Sequence, residues 1–183
     1  MAWIEANGVT LEYLVEGPAE GKPLVLIHEL GGTLYSWDAV MPALTDAGFR
    51  VLIPLSPAMV QKVMASSPAI GGDSGIEDML RARADQVEAE GMRPQVDTSL
   101  DRSYMPKYRA DAAAFTAYRN RWIANDPGSY ASHNRMLAAM DERANLAKIA
   151  CRCLITSGSD DHLLMPAAMR EIAGQIPSAE YRE

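Results

Sequence analysis

Pro23-Leu24-Val25-Leu26-Ile27-His28-Glu29-Leu30-Gly31-Gly32-Thr33, running on to Trp37-Asp38, is the stretch whose reading decides the fold. The apolar run after the proline is too short for a buried helix and suits a strand covered on both faces. It breaks abruptly into His28-Glu29 and a glycine pair. A buried strand ending in glycines, with a helix behind it, is how an open α/β sheet builds a site at its carboxyl edge. Glycines let the chain turn tightly and leave N–H groups free to face a ligand. By composition alone the same letters also fit an ordinary strand-to-helix turn, so the rest of the chain decides.

The chain has 183 residues, enough for one domain with a core, or a core plus a small lid. Its hydrophobic content of 48% and mean hydropathy of −0.12 describe a soluble globular protein. Nothing approaches the roughly 20 apolar residues that span a bilayer. Met1-Ala2-Trp3-Ile4-Glu5 has neither a basic start nor a long apolar run, so no secretory signal is read and a cytoplasmic location is expected. A net charge of −7 without an offsetting basic patch argues against nucleic-acid or membrane partners. The expected ligand is small and neutral, or binds locally. Cys151 and Cys153 flank Arg152. On a strand their Cα atoms would stand about 7 Å apart, an awkward disulfide span. No Cys or His partner lies nearby at zinc-like spacing, so a reduced, half-buried pair is expected.

Residues 2–6 and 10–15 read as a hairpin turning at Asn7-Gly8. After the Gly-Gly turn, Ser36 or Asp38 is placed to cap a helix carrying Trp37, Val40, Met41 and Leu44 and stopping at Gly48. Residues 49–55 form a second buried strand, and the strand–helix–strand unit predicts a parallel crossover. Residues 60–65 read as a further strand. Too few residues separate it from the previous one for another crossover, which takes a dozen or more. Gly72-Asp73-Ser74-Gly75 resembles a serine-protease nucleophile in letters, but Ser74 with Glu77 three residues on is better read as a capping box. That helix places Ile76, Met79, Leu80 and Val87 on one face and ends at Gly91. Residues 92–105 read as irregular. A second helix follows Pro106 with Phe115, Tyr118 and Trp122 along one side. Asp126-Pro127 opens a third with Tyr130, His133, Leu137 and Met140 on its apolar face, where His133 is read as a satisfied structural residue. Such Met- and aromatic-rich faces suit a core, or a mobile lid. Residues 150–156 form a strand running into Ser157-Gly158-Ser159-Asp160-Asp161-His162, then Pro166, an amphipathic helix, and a last strand beginning at 178.

In this order and at these distances, the motifs resemble the α/β-hydrolase superfamily, in its capped esterase and enol-lactonase-like branch. The first matching block is residues 10–55 with His28-Glu29-Leu30-Gly31-Gly32 and Ser36-Trp37; the second is residues 150–181 with Gly158-Ser159-Asp160-Asp161 and Pro166. The resemblance implies a mostly parallel sheet flanked by helices, with residues 1–70 and 148–183 forming the core and 71–147 an inserted helical cap. It implies a hydrolase of carboxylic esters, lactones or related carbonyl compounds working through a serine acyl-enzyme, chemistry that requires no metal or organic cofactor. By resemblance, Asp161 is the acid that orients the catalytic histidine. Asp160 is the runner-up, or the cap of the following helix. The backbone N–H of Leu30, with His28 beside it, falls on the oxyanion side. Glu29, Trp122 and Met140 are expected to contact substrate.

Three departures accompany the resemblance. Glu29 stands where the family most often has glycine, and no Gly-x-Ser-x-Gly elbow occurs anywhere in the chain. Nor does a histidine stand beyond the strand near Tyr181, where the family places its own. The expectation is therefore a hydrolase scaffold lacking its central elbow strand near Ser56 and its histidine segment. The alternative is a non-catalytic relative: a truncated product, a pseudoenzyme, or a subunit completed by a partner strand, with a homo-oligomer among the partner states expected. Unpaired groups along two buried edges would cost about 1–3 kcal/mol each. Several would exceed a typical stability of about 5–15 kcal/mol. A Rossmann-like nucleotide site is disfavoured, because the Gly-x-Gly-x-x-Gly spacing is absent.

Overall fold

The computed structural model describes residues 2–6, 9–29, 32–51, 61–71 and 75–183. The chain divides into two compact units, Met1–Met59 and Val60–Glu183, and is α/β, with parallel strands and flanking helices.

In the first unit, β1 (Ala2–Ala6) and β2 (Val9–Tyr13) form the expected antiparallel hairpin, Ala2 opposite Tyr13. The Asn7-Gly8 turn itself lies outside the described residues. β3 (Lys22–Leu24) runs parallel to β4 (Phe49–Val51), as the strand–helix–strand reading requires. Glu16 closes the other side of β4, with the Val51 N–H donating to the Glu16 carbonyl at 2.9 Å. Two expectations need correction. The strand read over residues 23–28 pairs only as far as Leu24, and Ile27 is 76% exposed. Past Leu24 the segment has no ladder partner among the described residues, and Val25 and Leu26 are only half-buried. The helix cap also differs. Thr33 caps a 3-10 turn over Leu34–Trp37 while Ser36 answers it reciprocally, and α1 (Met41–Asp46) starts later without a side-chain cap. Pro42, which has no N–H to leave unsatisfied, suits that first turn.

The second unit is built on β5 (Lys62–Ser66), β6 (Arg152–Thr156) and β7 (Ala179–Arg182), all parallel in the order β5-β6-β7. Alternation along β6 buries Cys153 and Ile155 and leaves Arg152 exposed. With Leu146 and with Met169, Ile172 and Ala173 of α7 (Pro166–Gly174), they form an apolar core joined by Val63 and Ala65 of β5. Both cysteines are free; Cys153 is buried and Cys151 half-buried.

Among the described residues, five α-helices lie between β5 and β6 in sequence: α2 (Glu77–Glu90), α3 (Val96–Ser103), α4 (Ala112–Ile123), α5 (Pro127–Ala139) and α6 (Arg143–Leu146). Asp111 and Asp126 cap α4 and α5 with their carboxylates, as helix N-termini demand. α2 packs along α5, where fully buried Ala84 and Ala131 leave no bulk to hold the two axes apart. Arg135 then bridges Asp85 and Glu88 across that pair, each at 2.7 Å.

Three sequence readings of this block are corrected. Residues 96–103 are helical rather than irregular, because Val96 and Leu100 bury one face four residues apart. The start of α2 differs as well: its N-cap is Ile76, which makes no side-chain cap, and Glu77 is its first residue. Gly75, a poor helix former, lies outside the helix; Ser74 lies outside the described residues. The buried face of α5 is set by Tyr130, Ala131, Asn134 and Ala138. His133 is therefore exposed, its Nδ1–H donating to the Ser129 carbonyl at 2.7 Å.

The start and end of the helical block meet at Gly71. It bridges Asp141, and the Glu142 N–H donates to the Ile70 carbonyl at 2.8 Å. Gly71 has φ +72°, and a Cβ there would overlap the Met140 carbonyl; Gly91 has φ +79° but open space around it. Gly71→Ala is expected to destabilise the chain by about 2–4 kcal/mol, against about 1 kcal/mol for Gly91→Ala, where strain alone acts. Urea denaturation of the two variants measures the difference.

Candidate active site

In the first unit the candidate residues sit just beyond β3. His28 is exposed, and its Nδ1 lies 2.9 Å from the Glu29 carbonyl oxygen. A carbonyl only accepts, so Nδ1 carries the proton and donates. Glu29 is exposed and folds over the turn. The Gly32 N–H donates to its carbonyl at 2.9 Å, and the Ser36 hydroxyl donates to Oε1 at 3.4 Å. A Cβ on Gly32 would stand 2.6 Å from the Glu29 carboxylate, the far end of an exposed side chain that can swing aside. The Leu30 backbone donor lies outside the described residues.

In the second unit, residues 157–165 leave the carboxyl end of β6. Ser157 is buried, its hydroxyl 2.7 Å from the Tyr181 hydroxyl of β7, which pins the start of the loop to the sheet. The two adjacent aspartates divide the work. Asp161 turns inward on its own loop: Oδ1 accepts from the N–H groups of Leu163 and Leu164 at 2.9 and 2.8 Å. Its own N–H donates to the Gly158 carbonyl at 3.0 Å. Asp160 reaches outward, and its Oδ2 accepts from the Lys107 ammonium and, at 2.7 Å, from the Tyr108 hydroxyl. The Lys107 hydrogen bond, seconded by Tyr108, holds the Asp160 carboxyl below the usual carboxylate range, and Lys107 is raised in return. Neither aspartate caps the following helix, because the N-cap of α7 is Met165.

Trp122 is buried in the helical block, edge-on to Tyr130 with ring centroids 5.4 Å apart. Met140 is half-buried at the C-cap of α5. Clefts open among the described residues of the second unit. One, of about 560 Å³, is lined by Glu90 to Arg93 together with Asn120, Ile123 and Ala124. Another, of about 240 Å³, lies over Val63, Ala65, Ile155 and Ile172. Neither cleft includes Trp122 or Met140. The clasp of Lys107 and Tyr108 on Asp160 went unread in the sequence. The partners lie more than 50 residues apart, and nothing local marks the pairing.

With this geometry in place, the resemblance can be set against known proteins. No family model matches the chain. Among curated proteins, a stretch of 52 residues is 35% identical to an AB hydrolase superfamily protein of Bacillus subtilis, spanning 28% of this chain and 18% of that protein. A stretch of 50 residues is 40% identical to a haloalkane dehalogenase of Mycolicibacterium paratuberculosis, spanning 27% of this chain and 17% of that protein. The match thus spans under a fifth of the length of these curated relatives. Solved structures match nearly the whole chain. The enol-lactonase from Burkholderia xenovorans superposes with a TM-score of 0.88 at 22% identity, over 98% of this chain and 90% of that one. A hydrolase from Pseudomonas aeruginosa gives 0.84 at 21%, over 99% and 88%. A thermophilic esterase from Thermogutta terrifontis gives 0.83 at 16%, over 99% and 89%. The fold of this chain is the α/β-hydrolase fold.

Asp161 holds its loop through one oxygen, and an asparagine amide oxygen can accept the same two N–H groups. Asp161→Ala is therefore expected to lower stability by about 0.5–2 kcal/mol, and Asp161→Asn to leave it nearly unchanged. Thermal and denaturant unfolding of the pair reads this out.

Proposed function

We propose that this chain is the scaffold of a hydrolase acting on a carboxylic ester, lactone or related carbonyl substrate through a serine acyl-enzyme. The observation that carries the reading is the order of motifs on the fold. A Gly-Gly turn after β3 comes first, then a helical block, then an aspartate pair on the loop after β6. In this reading Asp161 is the acid that orients a histidine. The Leu30 N–H, with His28 beside it, forms the oxyanion side. Residues 71–147 act as the cap, and residues 1–70 and 148–183 as the core. The nucleophile is assigned to none of the 183 residues, because the elbow pattern does not occur among them.

A second reading has its own observation. Among the described residues the parallel strands fall into two separate sheets, β3-β4 and β5-β6-β7, so β3 and β5 each have one edge without a strand partner. That pattern favours a non-catalytic relative whose edge strands are completed by a partner chain, the same chain included.

The two readings separate in one experiment. The 183 residues alone are expected to give neither turnover of a p-nitrophenyl ester nor labelling by a fluorophosphonate. A form carrying both an elbow strand and helix inserted after Ser56 and a histidine-bearing segment added after Glu183 is expected to label at the inserted serine and turn over ester. Asp161→Asn in that form should lower kcat by about 10⁴-fold, as loss of a triad acid does. An inserted form that folds but neither labels nor turns over rejects the enzymatic reading.

A further inference from the structure

We propose that Lys107 and Tyr108 are positioning residues: together they clasp Asp160 and so latch the helical block to the loop carrying Asp161. This deepens the proposed function, since that loop bears the acid of that reading, but the latch stands on its own geometry.

Both sides of the clasp are built independently. On the helical side, Lys107 and Tyr108 belong to a 3-10 turn over Pro106–Tyr108. The next residue, half-buried Arg109, anchors that turn. Its guanidinium donates to the Tyr104 carbonyl at 2.7 Å, the Leu100 carbonyl at 3.0 Å and Asp101 Oδ1 at 2.9 Å, and stacks 4.4 Å over the Phe115 ring. On the sheet side, the loop is held by the Ser157–Tyr181 hydroxyl pair and by the two N–H groups on Asp161. One carboxylate oxygen, Asp160 Oδ2, accepts from both Lys107 and Tyr108. The Lys107 ammonium also lies 5.0 Å from the Tyr108 ring centroid, so the two donors stand beside each other at the shared oxygen. Two preformed elements joined at one shared oxygen make a latch that opens without unfolding either side.

The clasp is partly exposed, with 52% of the Lys107 side chain and 42% of the Asp160 side chain open to solvent. Exposed charge pairs of this kind are weak, so the latch is expected to shift an opening equilibrium rather than stability. A two- to fivefold change is what such a pair supplies.

Hydrogen exchange on the intact chain, read by mass spectrometry, tests the proposal. The double variant K107M/Y108F and the single variant D160N should each speed exchange about two- to fivefold in residues 104–109 and 158–165. Amides of β6 and α7 should keep their protection. K107R, which retains a cationic donor, should restore most of the loop protection when Tyr108 is kept. Unchanged exchange in both segments overturns the latch. So does a loss spread evenly over β6 and α7, which would mark a general loss of stability. Because the readout needs no turnover, a failed latch and a failed enzymatic assignment give different results.

Discussion

The parallel ladder of β6 between β5 and β7 is the constraint from which the rest of the second unit follows. A strand paired on both sides has its main-chain N–H and C=O groups satisfied, so its side chains alone decide which layer covers it. Cys153 and Ile155 draw α7 onto the sheet, and α7 in turn sets where β7 lies down. The loop leaving the carboxyl end of β6 is thereby fixed at its root, through Ser157 and Tyr181, before any residue of chemical interest is reached. The aspartates are placed by the sheet first and by their own hydrogen bonds second.

The helical block solves a different problem. Its helices carry modest apolar faces, and what makes them pack is fit: small residues where α2 meets α5, and a Trp122–Tyr130 edge contact where α4 meets α5. Tyr104 stacks against both Phe115 and Tyr118 at 5.4 and 5.2 Å and ties the end of α3 to α4. Among the described residues, no helix is long and apolar enough to cross a membrane.

Strand identities were legible where the hydrophobic pattern was strong and its partners close in sequence. β6, β7 and the β1-β2 hairpin lie where the letters put them, within a residue or two. So do the caps at Asp126 and Gly91, because a cap is a local contract between a side chain and the next turn. The misreadings have one cause. The run around Ile27 looks buried by composition, but burial is conferred by neighbours that sequence order does not reveal. The face of α5 was misread at His133 for the same reason, since the packing partner α2 chooses which residues turn inward. The candidate site followed this division. The aspartate pair was visible as letters, whereas the split in which Asp160 faces Lys107 and Asp161 faces its own backbone is a tertiary fact.

The two thiols are chemically unequal although they stand two residues apart. Burial, with Cys151 as a lesser influence, pushes the Cys153 thiol up, and only a thiolate attacks or oxidises readily. Cys151, half-buried just before the strand, is the more accessible of the pair. An alkylating reagent or dissolved oxygen will meet Cys151 first. A covalent dimer formed during storage would thus be joined at that residue, and Cys151→Ser removes this route while leaving the apolar core on the sheet untouched.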